Sequence, residues 1–239
     1  MGDCVNGWAE RLVFTPILHL AGALKGRNQM TAYPVEKAIA RYTDYMQEIK
    51  HRTHVIQKVL ERHRDGQSLT GYRESDIELC FLQLRKCLEL LMFSSINVHY
   101  EAGLKLQSKI VNQEWNATKL LKLLERVNPR FYPRPMIEKQ VSQSGTRSMD
   151  ENTKDTLTRK EFEQLYDRVC GALLHASRTA QFGGKHDKFF AEIETWLDKL
   201  VRLINLHWIH LDDEIVLHVS MQTGDTGDVQ VALFKKIDG

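Results

Sequence analysis

Proline falls in so few places along this chain that it sets much of what the chain can become. Of five prolines, three (Pro129, Pro133 and Pro135) lie within seven positions, and the long stretches on either side carry almost no helix breaker. Hydrophobic residues make up 42% and charged residues 27% of the sequence, ordinary proportions that exclude wholesale disorder. The 239 residues suffice for one large domain, or for a domain with a substantial appendage.

Residues 1–33 form a poorly defined N-terminal segment, with a short helix expected near Trp8–Phe14 and loop around Gly22–Thr31. The rest, 34–239, reads as a helical bundle. Pro34 suits a first helical position, and the helix it opens should run to about Arg64, stopped by Asp65-Gly66. A second helix is expected from Glu74 to Tyr100. It is apolar almost all round, as the central member of a bundle would be. Its most hydrophobic part, Ile77–Val98, carries Arg85, Lys86 and Glu89, charges too costly for a bilayer, so no membrane span is expected. The apolar stretch Leu12–Leu24 lacks a basic leader and is interrupted by His19, so no signal peptide is read there.

A third helix is expected over Gln113–Val127. The proline cluster and the polar run that follows it then read as a flexible loop over about 129–156. Thr158-x-x-Glu161 is a capping box, with Leu157 and Phe162 as its hydrophobic staple. The helix it starts should continue past His175. Gly183-Gly184 breaks the pattern before a last helix, Asp187–Trp208. Two alternating runs, Ile215–Met221 and Val229–Phe234, give a hairpin over about 215–234. The expected fold is therefore all-α: an up-and-down bundle with a short C-terminal β-hairpin.

The four cysteines, Cys4, Cys80, Cys87 and Cys170, include no CxxC pair and read as buried thiols of a reducing cytoplasm. A formal charge of +2 argues neither for nor against a polyanionic partner. Any nucleic-acid contact would need a local patch, and Lys50, Arg52, Lys58 and Arg62 on the first helix supply one candidate; a solvated helix face is the other reading. On the second helix Arg85 and Glu89 are either an i, i+4 ion pair or a polar lining that faces a neighbouring helix.

Glu161, Arg168 and His175 recur every seven residues, about two helical turns, so they line up along the flank of the apolar stripe. An arginine there can hold a phosphate bidentately and a histidine can move protons, which together suffice for RNA cleavage without a metal. Alternatively, Arg168 pairs with a glutamate of its own helix and His175 caps a carbonyl. His207-x-x-His210 with Asp212 and Asp213 is a weaker metal candidate, and no cofactor or metal is expected.

Arg168-Val-Cys-Gly-Ala-Leu-Leu-His175 is similar to the motif of arginine, four to six residues and histidine in the HEPN superfamily of helical bundles. Tyr166–Ser177, Leu203–Leu211 and Leu84–Glu89 also resemble elements of uncharacterised prokaryotic helical proteins. Val169 departs from the family's usual pattern, in which a polar residue follows the arginine. The resemblance implies a homodimer that brings Arg168 and His175 of both subunits into one ribonuclease site, with Tyr166, Arg85, Glu89 and Glu161 in support. Two functions follow as expectations. One is a metal-independent endoribonuclease, a toxin or anti-phage defence effector whose partners would be RNA and a defence-system protein. The other is a non-catalytic interaction or regulatory subunit of a larger complex.

Overall fold

A computed structural model describes residues 14–16, 32–104, 106, 113–139, 148–174, 184–223 and 227–236. Five helices occur in it: α1 (Ala32–Arg64), α2 (Arg73–Glu101), α3 (Ala117–Val127), α4 (Arg159–Leu174) and α5 (His186–Ile204). Six strands accompany them: β1 (Phe14–Pro16), β2 (Arg134–Lys139), β3 (Ser148–Glu151), β4 (Leu206–His210), β5 (Ile215–Thr223) and β6 (Asp228–Lys236). The strands form one sheet in the order β1-β6-β5-β4-β2-β3, with every pairing antiparallel.

The expectation of an all-α bundle is therefore corrected: the fold is mixed, helices on an antiparallel sheet. The expected hairpin exists, but it is the middle of that sheet. Besides β1, a strand at Phe14–Pro16 where a short helix near Trp8–Phe14 is expected, two segments carry the difference. The run Leu203–Leu211 is apolar throughout, and periodicity alone cannot separate a buried strand from a buried helix. The helix stops at Ile204, and β4 continues as a central strand between β5 and β2, with four of its five residues buried. The second segment, 129–156, contributes β2 and β3 rather than loop alone. Pro135 opposes His207 in the short β2–β4 pairing; its fixed φ suits an extended strand even though it donates no ladder bond.

The helices begin and end for local reasons. Gly66, at φ +72°, closes α1 in a Schellman motif, donating to the His63 carbonyl (3.0 Å) while Gln67 donates to that of Arg62 (2.8 Å). Asp76 is buried near the start of α2 and accepts from Ser68 Oγ (2.7 Å) and the amides of Leu69 (2.9 Å) and Thr70 (3.0 Å), which fixes the connection from α1. The capping box of α4 forms as expected, with reciprocal bonds of Thr158 N to Glu161 Oε2 (3.0 Å) and Glu161 N to Thr158 Oγ1 (3.2 Å). Leu157 and Phe162 are fully buried beside it.

α1 and α2 run antiparallel, as two cross-links show: Arg41 to Glu101, and Arg52 to Gln83. α1 and α5 also pack on the sheet, and α4 packs on α2. The apolar row Tyr42, Met46, Ile49, Ile56 and Val59 of α1 is buried between α2 and the sheet, which leaves the α1 surface toward Arg41 and Asp44 exposed. Among the described residues no helix is long and apolar enough to cross a membrane.

Candidate functional site

The Arg168 site is the first candidate, and the structure puts its arginine to use within the fold. α4 lies beside α5, and Arg168 holds Glu192 bidentately, Nε to Oε1 at 2.9 Å and an Nη to Oε2 at 3.1 Å. The guanidinium also lies over Phe81 of α2 (5.3 Å to the ring centroid) and Phe189 of α5 (5.7 Å), two rings that themselves meet edge to face. It thus ties three helices together. His175 lies outside the described residues. Glu161 belongs to the capping box and pairs with Lys199. Partial burial of Glu161 opposes its ionisation, but hydrogen bonds from Lys199 and Thr158 outweigh it and hold the carboxyl below its usual range.

Arg85 and Glu89 form the i, i+4 pair at 2.9 Å. Glu89 also accepts from the Tyr166 hydroxyl (3.3 Å), which links α2 to α4. Burial pushes the Tyr166 phenol up to about 12. The hydrogen bond to Glu89 raises Arg85 still further above its ordinary range. These supporting residues therefore meet one another, and no bond joins them to Arg168 among the described contacts.

The basic candidates of α1 find partners inside the chain. Lys50 donates to the carbonyls of Met221 (2.9 Å) and Gly227, clasping the β5–β6 turn. Arg52 holds Glu48 (2.5 Å) and Gln83 (2.7 Å), Lys58 holds Glu61 (3.1 Å), and Arg62 holds Gln67 (2.6 Å).

The histidines singled out for metal lie on β4, where positions three apart project to opposite faces of the strand. Among the described residues no group of three or more His, Cys, Asp or Glu could hold an ion. His207 accepts from the Tyr42 hydroxyl (2.9 Å) at Nε2 and donates from Nδ1 to the Ile204 carbonyl (2.7 Å). His210 accepts from Arg134 (3.2 Å), whose other nitrogen holds Glu151 (2.6 Å). Burial lowers both imidazoles to about 4, helped at His210 by Arg134 and Arg130. Close by, His99 donates from Nδ1 to the Ser95 carbonyl (2.7 Å) and accepts from Asn128 Nδ2 (2.9 Å). That same amide donates to the His210 carbonyl (2.7 Å). These groups are neutral and saturated, and they pin α1, α2 and the end of α3 to β4.

The remaining candidate is an open depression of about 590 Å³ on the surface that α1 and α2 share with the segment preceding α3. Asp44, Tyr45 and Glu48 line it from α1, Phe93 and Asn97 from α2, and Trp115 from the third segment. Arg41 of α1 and Glu114 line it too. The backbone that carries Trp115 is fixed. Glu114 accepts from the amides of Trp115 (3.0 Å) and Asn116 (2.9 Å), and the Asn116 side chain caps α3 by accepting from Lys119 N (3.0 Å). The indole is nevertheless 75% exposed.

Sequence reasoning missed this site. Its only signals were the same-face spacing of Asp44, Tyr45 and Glu48, together with Phe93 and Asn97, which reads equally as helix packing. The expected helix over Gln113–Val127 would also have absorbed Trp115, whereas α3 starts at Ala117. No family model, no curated protein and no solved structure matches this chain.

Proposed function

We propose that this protein is a non-catalytic binding module, the interaction or regulatory subunit of the two functions its sequence suggests, and that it recognises its ligand at the cavity between α1, α2 and Trp115. One observation carries this reading: Trp115, its backbone amide bonded to Glu114, stands 75% exposed at an open depression of about 590 Å³. An indole left in water forfeits a large burial term, while the same exposed ring is a ready contact surface for a partner. By contrast, the Arg168 guanidinium is spent on Glu192, Phe81 and Phe189. A phosphate would have to displace that carboxylate before the arginine could serve as an electrostatic catalyst.

The test has two arms. Purified protein is incubated with labelled RNA, and separately screened by thermal shift against small charged and aromatic compounds. The expected results are intact RNA and at least one compound that raises the melting temperature of the parent but not of Trp115→Ala. RNA cleavage that disappears in a folded His175→Ala protein would overturn the reading. It would support instead the metal-independent endoribonuclease of HEPN type, working as a homodimer with Arg168 and His175 in its site.

A further inference from the structure

We infer that the ligand of this cavity is an organic ammonium ion bearing alkyl groups, held over the rings of Tyr45, Phe93 and Trp115 with Asp44 as its counter-charge. The inference rests on the binding-module reading and adds the ligand's chemistry. Most of the charges at the cavity are already satisfied. Arg41 faces Glu101 at 3.4 Å, and Glu48 is neutralised by Arg52 at 2.5 Å. Glu114 is occupied by two backbone amides and by Lys119 at 3.6 Å. Asp44 has no hydrogen-bond or ion-pair partner among the described residues and is exposed to solvent. Among the described residues the depression therefore offers one free negative charge beside three aromatic side chains.

That pairing selects a cation of a particular kind. Aromatic faces carry negative quadrupole density and attract a positive charge within about 6 Å of the ring centre. They offer few hydrogen-bond acceptors, so they suit a weakly hydrated alkylated ammonium better than a bare metal ion, which demands several oxygen ligands. The Tyr45 hydroxyl already accepts from Asn97 Nδ2 at 3.2 Å. This orients the phenol and leaves its proton free for a hydroxyl or carbonyl elsewhere on the ligand. With Arg41, Glu48 and Glu114 each already paired, an anion would meet the uncompensated carboxylate of Asp44 among the described residues, an unfavourable field.

The experiment titrates the full chain with choline as probe and with its uncharged carbon isostere, the alcohol in which a tert-butyl group replaces the trimethylammonium. Calorimetry and tryptophan fluorescence report binding. Saturable choline binding, about tenfold tighter than that of the isostere, is expected, because the two differ in charge and hardly in shape. Asp44→Asn should weaken choline by about tenfold and leave the isostere unchanged. Trp115→Phe should keep most of the affinity, and Trp115→Ala should lose it. Both positions are exposed, so neither variant threatens the fold.

Free trimethyl-lysine compared with a peptide that carries it separates two sources of the same chemistry. Equal affinities point to a small free cation and tighter peptide binding points to a modified polypeptide; either result supports the proposal. Equal binding of choline and isostere, or an Asp44→Asn variant that binds as tightly as the parent, would overturn it. If neither probe binds while another compound still depends on Trp115, the ammonium inference fails and the binding-module reading stands. If no compound in the screen binds, both fail.

Discussion

Lowering the pH from 7 to 5 should destabilise this protein, and His207 and His210 should cause most of the loss. Both are neutral and nearly inaccessible in the fold, held down to about 4 chiefly by burial, whereas an unfolded histidine titrates near 6.5. The folded value is depressed, so between about pH 6.5 and 4 the unfolded chain binds more protons than the native one. Stability is then fully present above 6.5 and falls as pH drops toward 4. Integrating that difference gives about 2 kcal/mol lost per histidine at pH 5, or about 4 kcal/mol together. That is a large part of the roughly 5–15 kcal/mol that a domain commonly has. His99 and His218 are lowered in the same direction, again first by burial, and add to the slope. Urea unfolding followed by circular dichroism at half-unit pH steps measures it. His207→Gln keeps hydrogen-bonding capacity at that site without a titrating ring, so it should be less stable at pH 7 yet lose less between pH 7 and 5. A parent protein whose midpoint stays flat over that range, or a variant with an unchanged slope, would refute the reasoning.

Arg168→Ala should lower stability by about 1–2 kcal/mol, through the half-exposed pair with Glu192 and the contacts to Phe81 and Phe189. Thermal melting checks this, and Arg168→Lys should recover only part of the loss because lysine lacks the planar fork. Asn128→Ala removes donors to His99 and to the His210 carbonyl in a buried setting and should cost about 2–4 kcal/mol in urea unfolding. Lys50→Met frees the Met221 and Gly227 carbonyls, so amide exchange in β5 and β6 should accelerate while α2 remains protected, with a global loss of about 1 kcal/mol. Zinc should not raise the melting temperature through His207 and His210, because they project from opposite faces of β4; a zinc-dependent rise that His210→Ala abolishes would contradict the strand geometry.

Much of the helical layer was legible in the sequence because its signals are local. Pro34, Asp65-Gly66 and the Thr158–Glu161 box each act within one turn of chain; α1 starts and stops beside the first two, and α4 starts beside the third. The β5–β6 pair was equally readable from its alternation. β4 was not, because a central strand buried on both faces shows no alternation, and Leu203–Leu211 suits a buried helix as well. β2 and β3 were hidden by prolines and polar residues that also mark loops. The site divides in the same way. The Arg85–Glu89 pair follows from spacing alone. The Glu192 partner of Arg168 lies 24 positions away, and the cavity joins α1 to Trp115 across most of α2 and beyond. Such meetings depend on tertiary packing, which single-sequence periodicity does not encode.

The strand order also has a consequence for how the chain reaches its fold. α1 and α2 can pair as soon as both exist, through an eight-residue connection. The sheet that covers the other side of α1 is built from residues far along the chain: Tyr42 meets His207 across 165 positions, and Lys50 meets Gly227 across 177. Contacts of such long range slow folding, since each closes a large loop before it is rewarded. During synthesis the early helical pair would therefore carry Tyr42, Met46 and Ile49 uncovered until β5 and β6 arrive, the kind of sticky intermediate on which chaperones act.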